Sequence, residues 1–232
     1  MMRLDKLLVE LNIGTRSEVK ALLKKGLIFV DGQKAIKPET KVDENSVVIS
    51  YQGKEYTYQQ FSYYVMNKPK GLITATEDAH DRTVMDLFYE KCPDAPKGLS
   101  PVGRLDKDTT GLLLITNDGK LAHELLSPKK HVDKTYFVTL DGELSDEDIA
   151  ALESGVRIGE GDLTAPATVK YEGGNTCYIT IHEGKFHQVK RMFFAVGREV
   201  LELKRTSFGQ LTLDEEDLPV GHINKLKCES FY

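Results

Sequence analysis

The densest run of reactive side chains is Val102-Gly-Arg-Leu-Asp-Lys-Asp-Thr-Thr-Gly-Leu-Leu-Leu-Ile115, a polar turn carrying Arg104, Asp106 and Asp108 that leads into an apolar strand. Turns beside buried strands are where a rigid framework presents reactive groups. An isolated aspartate in a turn is more often a cap or a loop residue, so the type alone decides little. A carboxylate set near a carbon that becomes electron-poor can act as nucleophile, base or electrostatic partner. In an apolar pocket it tends to take up a proton, so an ionised one needs a cation beside it. Lys190 and Arg191, in Glu183-Gly-Lys-Phe-His-Gln-Val-Lys-Arg191, are the candidates, with His187 and Gln188 just upstream. At ~4 Å and an effective dielectric of ~20 such a pair is worth about 4 kcal/mol, enough to hold a carboxylate ionised. Tyr136 lies in Lys134-Thr-Tyr-Phe-Val-Thr-Leu140, where a period of two puts Tyr136, Val138 and Leu140 on one face. Taken alone, it reads as a core tyrosine.

These residues must be positioned by strands expected at 62–67, 112–116, 134–140, 176–182 and 198–204, and by helices at 83–90, 118–126, 145–153 and 187–196. The third helix opens on Ser145-Asp-Glu-Asp148, a capping-box pattern. Irregular interleaving with hairpin-length links predicts an α+β domain with a mixed, largely antiparallel sheet. Ahead of it, Leu4, Leu7, Leu8 and Leu11 recur at helical spacing, and a second helix is expected from Thr15 or Ser17 to Lys25. Strand Leu27–Val30, the tight turn Asp31-Gly32 and a return strand follow. Residues 51–61 are polar and aromatic without clear period and read as the connection.

The 232 residues carry a net charge of −5, so the total gives no sign of a polyanionic partner. Distribution matters more: residues 1–41 hold nine Lys/Arg against five Asp/Glu, a surplus of four. Arg16, Lys20 and Lys24 share one helix face, with Lys25 next to them. Most such runs are solvated faces. The longest apolar run is strand length, and the N-terminus is charged from its third residue, which predicts a chain with no membrane span or secretory leader that stays in the cytoplasm. Cys92, Cys177 and Cys228 form no CxxC pair, which predicts reduced structural thiols rather than disulfides or a zinc site. No metal is expected.

Residues 2 to about 45, RLDKLLVELNIGTRSEVKALLKKGLIFVDGQ, resemble the S4 RNA-binding domain. The run GRLDxxTxGLLL is the signature of the pseudouridine synthases, and KTYFVTL, EGKFHQVKRMFFAVG and LELKRTSFGQLTL extend the similarity over nearly the whole chain. With HQVKRM, the chain looks most like the RsuA-type branch, which modifies small-subunit ribosomal RNA. The resemblance implies an S4-like RNA-binding domain over 1–58 and a pseudouridine synthase domain over 62–232. It also implies that no cofactor is needed, since uridine isomerisation adds no group and changes no redox state. Asp106 takes the place of the family's essential aspartate, Lys190 that of its basic partner, and Tyr136 that of a ring stacking on the target base. Arg104, Arg191, His187 and Gln188 would contact the substrate, and Arg16, Lys20, Lys24 and Lys25 would contact RNA outside the site. A target inside folded RNA has to be extruded to be reached. The expected partner is small-subunit ribosomal RNA or its assembly intermediate, met by a monomer.

Two other readings compete. Asp106-Lys-Asp108-Thr-Thr110 is a literal DxDxT, the aspartyl-phosphate motif of haloacid-dehalogenase-like phosphatases, but that motif needs its apolar strand before the first Asp, whereas here the strand follows. A protein that only binds RNA through its front is the other, and the presence of Asp106, Tyr136 and Lys190 together argues against it.

Overall fold

The structure, a computed structural model, describes residues 1–159 and 161–226. By contact density it divides into two compact units, Met1–Ser62 with Cys92–Leu99, and Tyr63–Lys91 with Ser100–Tyr232.

In the first unit a short strand β1 (Met2–Arg3) leads into α1 (Leu4–Glu10) and α2 (Arg16–Lys24). Thr15 caps α2 through a capping box: its hydroxyl accepts from the Glu18 amide, and the Glu18 carboxylate accepts from the Thr15 amide at 2.7 Å. A box of this kind satisfies two otherwise orphaned backbone donors. β2 (Ile28–Val30), β3 (Gln33–Ala35), β4 (Lys41–Val42), β5 (Val48–Tyr51) and β6 (Lys54–Thr57) complete the unit. β2, β3, β5 and β6 form a sheet in the order β3-β2-β5-β6, and β4 pairs with β1. Leu4, Leu7, Leu8, Val19, Leu23 and Ile49 are wholly buried between the helices and this sheet. The apolar spacing of α1 and α2 therefore sets their inner faces, and Arg16, Lys20, Lys24 and Lys25 remain exposed.

The segment expected to be a connection, 51–61, instead contains β6, paired antiparallel with β5 from Val48↔Thr57 to Tyr51↔Lys54. Gln52 and Gly53 both have positive φ, 51° and 76°, the same two-residue geometry as Asp31 (48°) and Gly32 (76°) in the other hairpin. Such turns favour Asn or Asp at the first position. Glutamine there conceals the hairpin from a reading of turn residues.

The second unit is built on β7 (Tyr63–Lys68), α3 (Val84–Lys91), β8 (Ser100–Pro101), β9 (Thr110–Thr116), α4 (Gly119–Leu126), β10 (Lys134–Leu140), α5 (Asp146–Ser154), β11 (Thr168–Gly173), β12 (Thr176–Ile181), α6 (Gln188–Ala195), β13 (Val200–Phe208), β14 (Leu211–Thr212) and β15 (Ile223–Leu226). Its main sheet runs β11-β12-β10-β13-β9-β7-β15. Every pairing is antiparallel except β13 with β9, so the fold is α+β with a mixed sheet. β10 alternates buried and half-buried along its length, with Tyr136, Val138 and Leu140 inward. Ser145 and Asp148 form the capping box at the start of α5. Cys177 is a buried free thiol, and burial pushes it up to about 11. Cys228 lies outside the described residues. Among the described residues no helix is long and apolar enough to cross a membrane.

The register places one row of residues across five strands: Ile179 opposite Tyr136, Tyr136 opposite Arg205, Arg205 opposite Gly111, and Gly111 opposite Lys68. Gly111 has φ of +102°, and a Cβ there would lie 2.3 Å from the Arg205 carbonyl oxygen. The parallel pairing of β9 with β13 thus requires glycine at this position. The turn bearing Asp106 ends at this junction.

Candidate active site

The turn from Gly103 to Thr109 is held from behind by three groups of the strand β7 and the loop after it. Lys68, wholly buried at the end of β7, points its ammonium at backbone carbonyls: Thr109 at 2.9 Å, Asp106 at 3.0 Å, Pro69 at 3.2 Å and Lys107 at 3.4 Å. The Thr74 hydroxyl donates to the Leu105 carbonyl and accepts from the Leu105 amide, and the Gly71 amide donates to the Lys107 carbonyl. A cation among carbonyl dipoles is a strong tether. Burial lowers the Lys68 ammonium to about 8, with the charges of Asp108 and Asp106 opposing the drop.

Held this way, the Asp106 carboxylate meets two groups from the loop and first turn of α6. Lys190 Nζ stands 3.3 Å from one oxygen and His187 Nε2 3.5 Å from the other. Lys190 also donates to Asp108 at 2.6 Å, so it bridges both carboxylates. Burial works against the Lys190 charge, but the hydrogen bond to Asp108 and the charges of Asp106 and Asp108 prevail, and its pKa lies above the ordinary lysine value. The same hydrogen bond holds the Asp108 carboxyl below the usual carboxylate range.

Of the two candidate cations, Lys190 is the one beside Asp106. Arg191 turns away: it donates to the Phe186 carbonyl at 3.1 Å and lies 3.8 Å from Asp162. Gln188 is buried and its amide is fully engaged, accepting from the Lys185 backbone amide at 2.9 Å and donating to Glu183 at 2.7 Å. Both therefore shape the loop 183–187, and Gln188 also lines the cleft. His187 sits in the left-handed region with φ of 46° at the start of α6, which turns its ring toward Asp106. Arg104 is exposed and lines the same cleft.

The cleft has a volume of about 880 Å³. Asp106, Lys190 and His187 stand in its wall with Tyr136, which is 8% exposed, and Arg205, which is 2% exposed. Six cations (Arg104, Lys107, Lys134, Lys185, Lys190 and Arg205) face two carboxylates (Asp106 and Glu183) in this lining, against an acidic total for the chain. Arg205 donates from Nε to the Leu112 carbonyl at 2.8 Å; burial lowers its pKa, and Tyr136 beside it pulls the other way. Lys68 and Arg205 were not singled out from sequence. Lys68 ends a strand in which all six residues are buried, and a lysine there, next to Pro69, was the available signal.

Residues 2–48 match the S4 domain model, and residues 62–195 match the model described as RNA pseudouridylate synthase. The chain belongs to the RNA pseudouridylate synthase family. Among its relatives is the uncharacterized RNA pseudouridine synthase YtzG of Bacillus subtilis, 50% identical over 100% of this chain and 97% of the relative. The ribosomal small subunit pseudouridine synthase A of Vibrio cholerae is 41% identical over 92% of this chain and 91% of its own length. The ribosomal large subunit pseudouridine synthase B of Bacillus subtilis is 37% identical over 98% and 96%. The crystal structure of a pseudouridylate synthase matches with a TM-score of 0.68 at 31% identity, covering 100% of this chain and 98% of that one. The chain is thus a pseudouridine synthase with an S4 domain at its front, and the aspartyl-phosphatase reading falls away.

Proposed function

We propose that this enzyme isomerises a uridine of small-subunit ribosomal RNA to pseudouridine, with Asp106 as the reacting carboxylate. The observation that carries the reading is the double hold on Asp106, its carboxylate set against Lys190 and His187 and its backbone carbonyl against the buried Lys68. A group fixed on both sides needs little reorganisation when charge develops next to it. In the isomerisation the C1′–N1 bond breaks with its electron pair leaving on uracil, the base turns, C1′ bonds to C5, and the C5 proton is lost while N1 gains one. Asp106 meets the positive character at C1′. Tyr136, an aromatic ring with a polar end in the cleft wall, is suited to face the base and to help move the C5 proton. Arg104, His187 and Gln188 at the cleft contact the extruded nucleotide, and Arg191 acts on it by holding the loop 183–187.

Small-subunit RNA is favoured because the relative named for that subunit is 41% identical, against 37% for the one named for the large subunit. The exposed Arg16, Lys20, Lys24 and Lys25 suit phosphate contact by the S4 unit, residues 1 to about 58. Action as a monomer in the cytoplasm is part of the same proposal. Mapping pseudouridine in small-subunit ribosomal RNA from cells with and without the gene tests the reading. One site lost on deletion and restored by the purified enzyme supports it; an unchanged small-subunit map refutes it.

A further inference from the structure

We infer that Phe186 is a stacking platform for an unpaired nucleobase flanking the target uridine, a subsite distinct from the Tyr136 pocket wall. The inference rests on the reading of the cleft as an RNA site.

Phe186 is 66% exposed, although it lines the cleft beside the reactive carboxylate. Singly exposed apolar side chains are common on protein surfaces, but this ring stands in the wall of a cleft rather than on an open face. Its ring is stacked on His187, with centroids 3.8 Å apart and planes 19° from parallel. That leaves the other face toward solvent, at a position one residue from a group 3.5 Å from Asp106.

The backbone beneath the ring is unusually well tied for an exposed loop. Arg191 holds the Phe186 carbonyl, Gln188 holds the Lys185 amide and, through Glu183, the start of the loop, and Lys185 Nζ donates to the Leu163 carbonyl at 2.6 Å. The inward-facing groups thus serve to fix a ring that itself packs on little of the protein. A preformed, outward-facing ring lowers the ordering cost of binding a flat partner. Of the lining cations, Lys107 is paired with Asp81, Lys185 with Asp162, and Lys190 with Asp106 and Asp108, while the exposed Arg104 suits a phosphate, and a flat partner on a polyanion is a nucleobase. Stacking tolerates any base, so the subsite adds affinity and orientation for extrusion without dictating sequence.

The test uses the full-length protein and a short RNA hairpin whose loop carries a single uridine between two 2-aminopurine nucleotides, whose fluorescence is quenched by stacking. Wild type and Phe186→Trp are expected to bind with a change in 2-aminopurine signal. Phe186→Ala and Phe186→Leu are expected to lose the signal change and to bind roughly tenfold more weakly. Leucine keeps apolar area without a flat face, so a Phe186→Leu variant that matches wild type in both readouts overturns the inference. Saturable wild-type binding without a signal change, or no binding of the hairpin, overturns it as well. Pseudouridine formation on ribosomal RNA is read separately, so the subsite and the proposed reaction can fail independently.

Discussion

Replacing Lys190 with methionine probes the charge balance of the site. Lys190 Nζ is 3.3 Å from Asp106 and 2.6 Å from Asp108, and the side chains of Lys190 and Asp106 are about a quarter exposed. At that distance and an effective dielectric of ~20, its attraction to Asp106 is roughly 5 kcal/mol before solvent screening. Partial exposure brings this to about 2–3 kcal/mol. If that support is felt at the transition state, the single-turnover rate at saturating RNA falls about 30- to 150-fold. Lys190 bridges the two carboxylates, and Lys190→Met leaves them facing each other without it. Adding Asp108→Asn removes one of them, so the double variant is expected to regain roughly tenfold over Lys190→Met, a coupling that a pairwise cycle reads directly. Methionine preserves the length of the side chain, and circular dichroism checks the fold. A Lys190→Met variant within threefold of wild type, or a double variant slower than the single one, would refute the electrostatic role given to this lysine.

Lys68 gives a pH prediction. Protonated below about 8, it holds the turn through four carbonyls, so the saturating rate should fall as pH rises through that value, and Lys68→Met should be slow with no such limb. Stability should move the other way: the folded pKa lies below the unfolded lysine value, so the unfolded chain binds more protons between the two, and this group's contribution grows with pH there. A melting temperature that drops in step with the rate would contradict the assignment. Gly111→Ala should destabilise the chain by ~3 kcal/mol or more, lowering the melting temperature by roughly 6–12 °C, because both φ and the Arg205 carbonyl oppose a Cβ; a melting temperature equal to wild type would show that the β9–β13 junction can give way. Changing Arg16, Lys20 and Lys24 together to Ala should flatten the slope of log K against log salt by about two units, each phosphate contact being worth roughly 0.7–0.9. An unaltered slope would make these charges a solvated face.

The helices of both units were legible because their signals are local: Leu4, Leu7 and Leu8 repeat at helical spacing, and Thr15 with Glu18 and Ser145 with Asp148 cap in sequence-adjacent boxes. The Asp106 turn was legible because its residues lie within one short run. What was hidden depends on pairing between distant segments. β6 was missed because a glutamine stands where its turn usually has Asn or Asp. The choice between Lys190 and Arg191 was open because neighbours on a helix differ by about a quarter turn, and only the placement of α6 against the Asp106 loop decides which points inward. Lys68 and Arg205 escaped notice because their roles come from the register that sets β7, β9, β13 and β10 side by side, bringing residues 68, 111, 136 and 205 into one row.

Asp106→Asn tests whether the carboxylate of Asp106 performs the proposed reaction on small-subunit ribosomal RNA. The change keeps the shape of the side chain and removes its charge, and the turn is held through its backbone by Lys68 and Thr74, so fold and RNA affinity should stay close to wild type. Pseudouridine formed in a single turnover on unmodified small-subunit ribosomal RNA is expected to vanish. A variant that retains more than a few per cent of the wild-type rate while binding the same RNA would contradict the account.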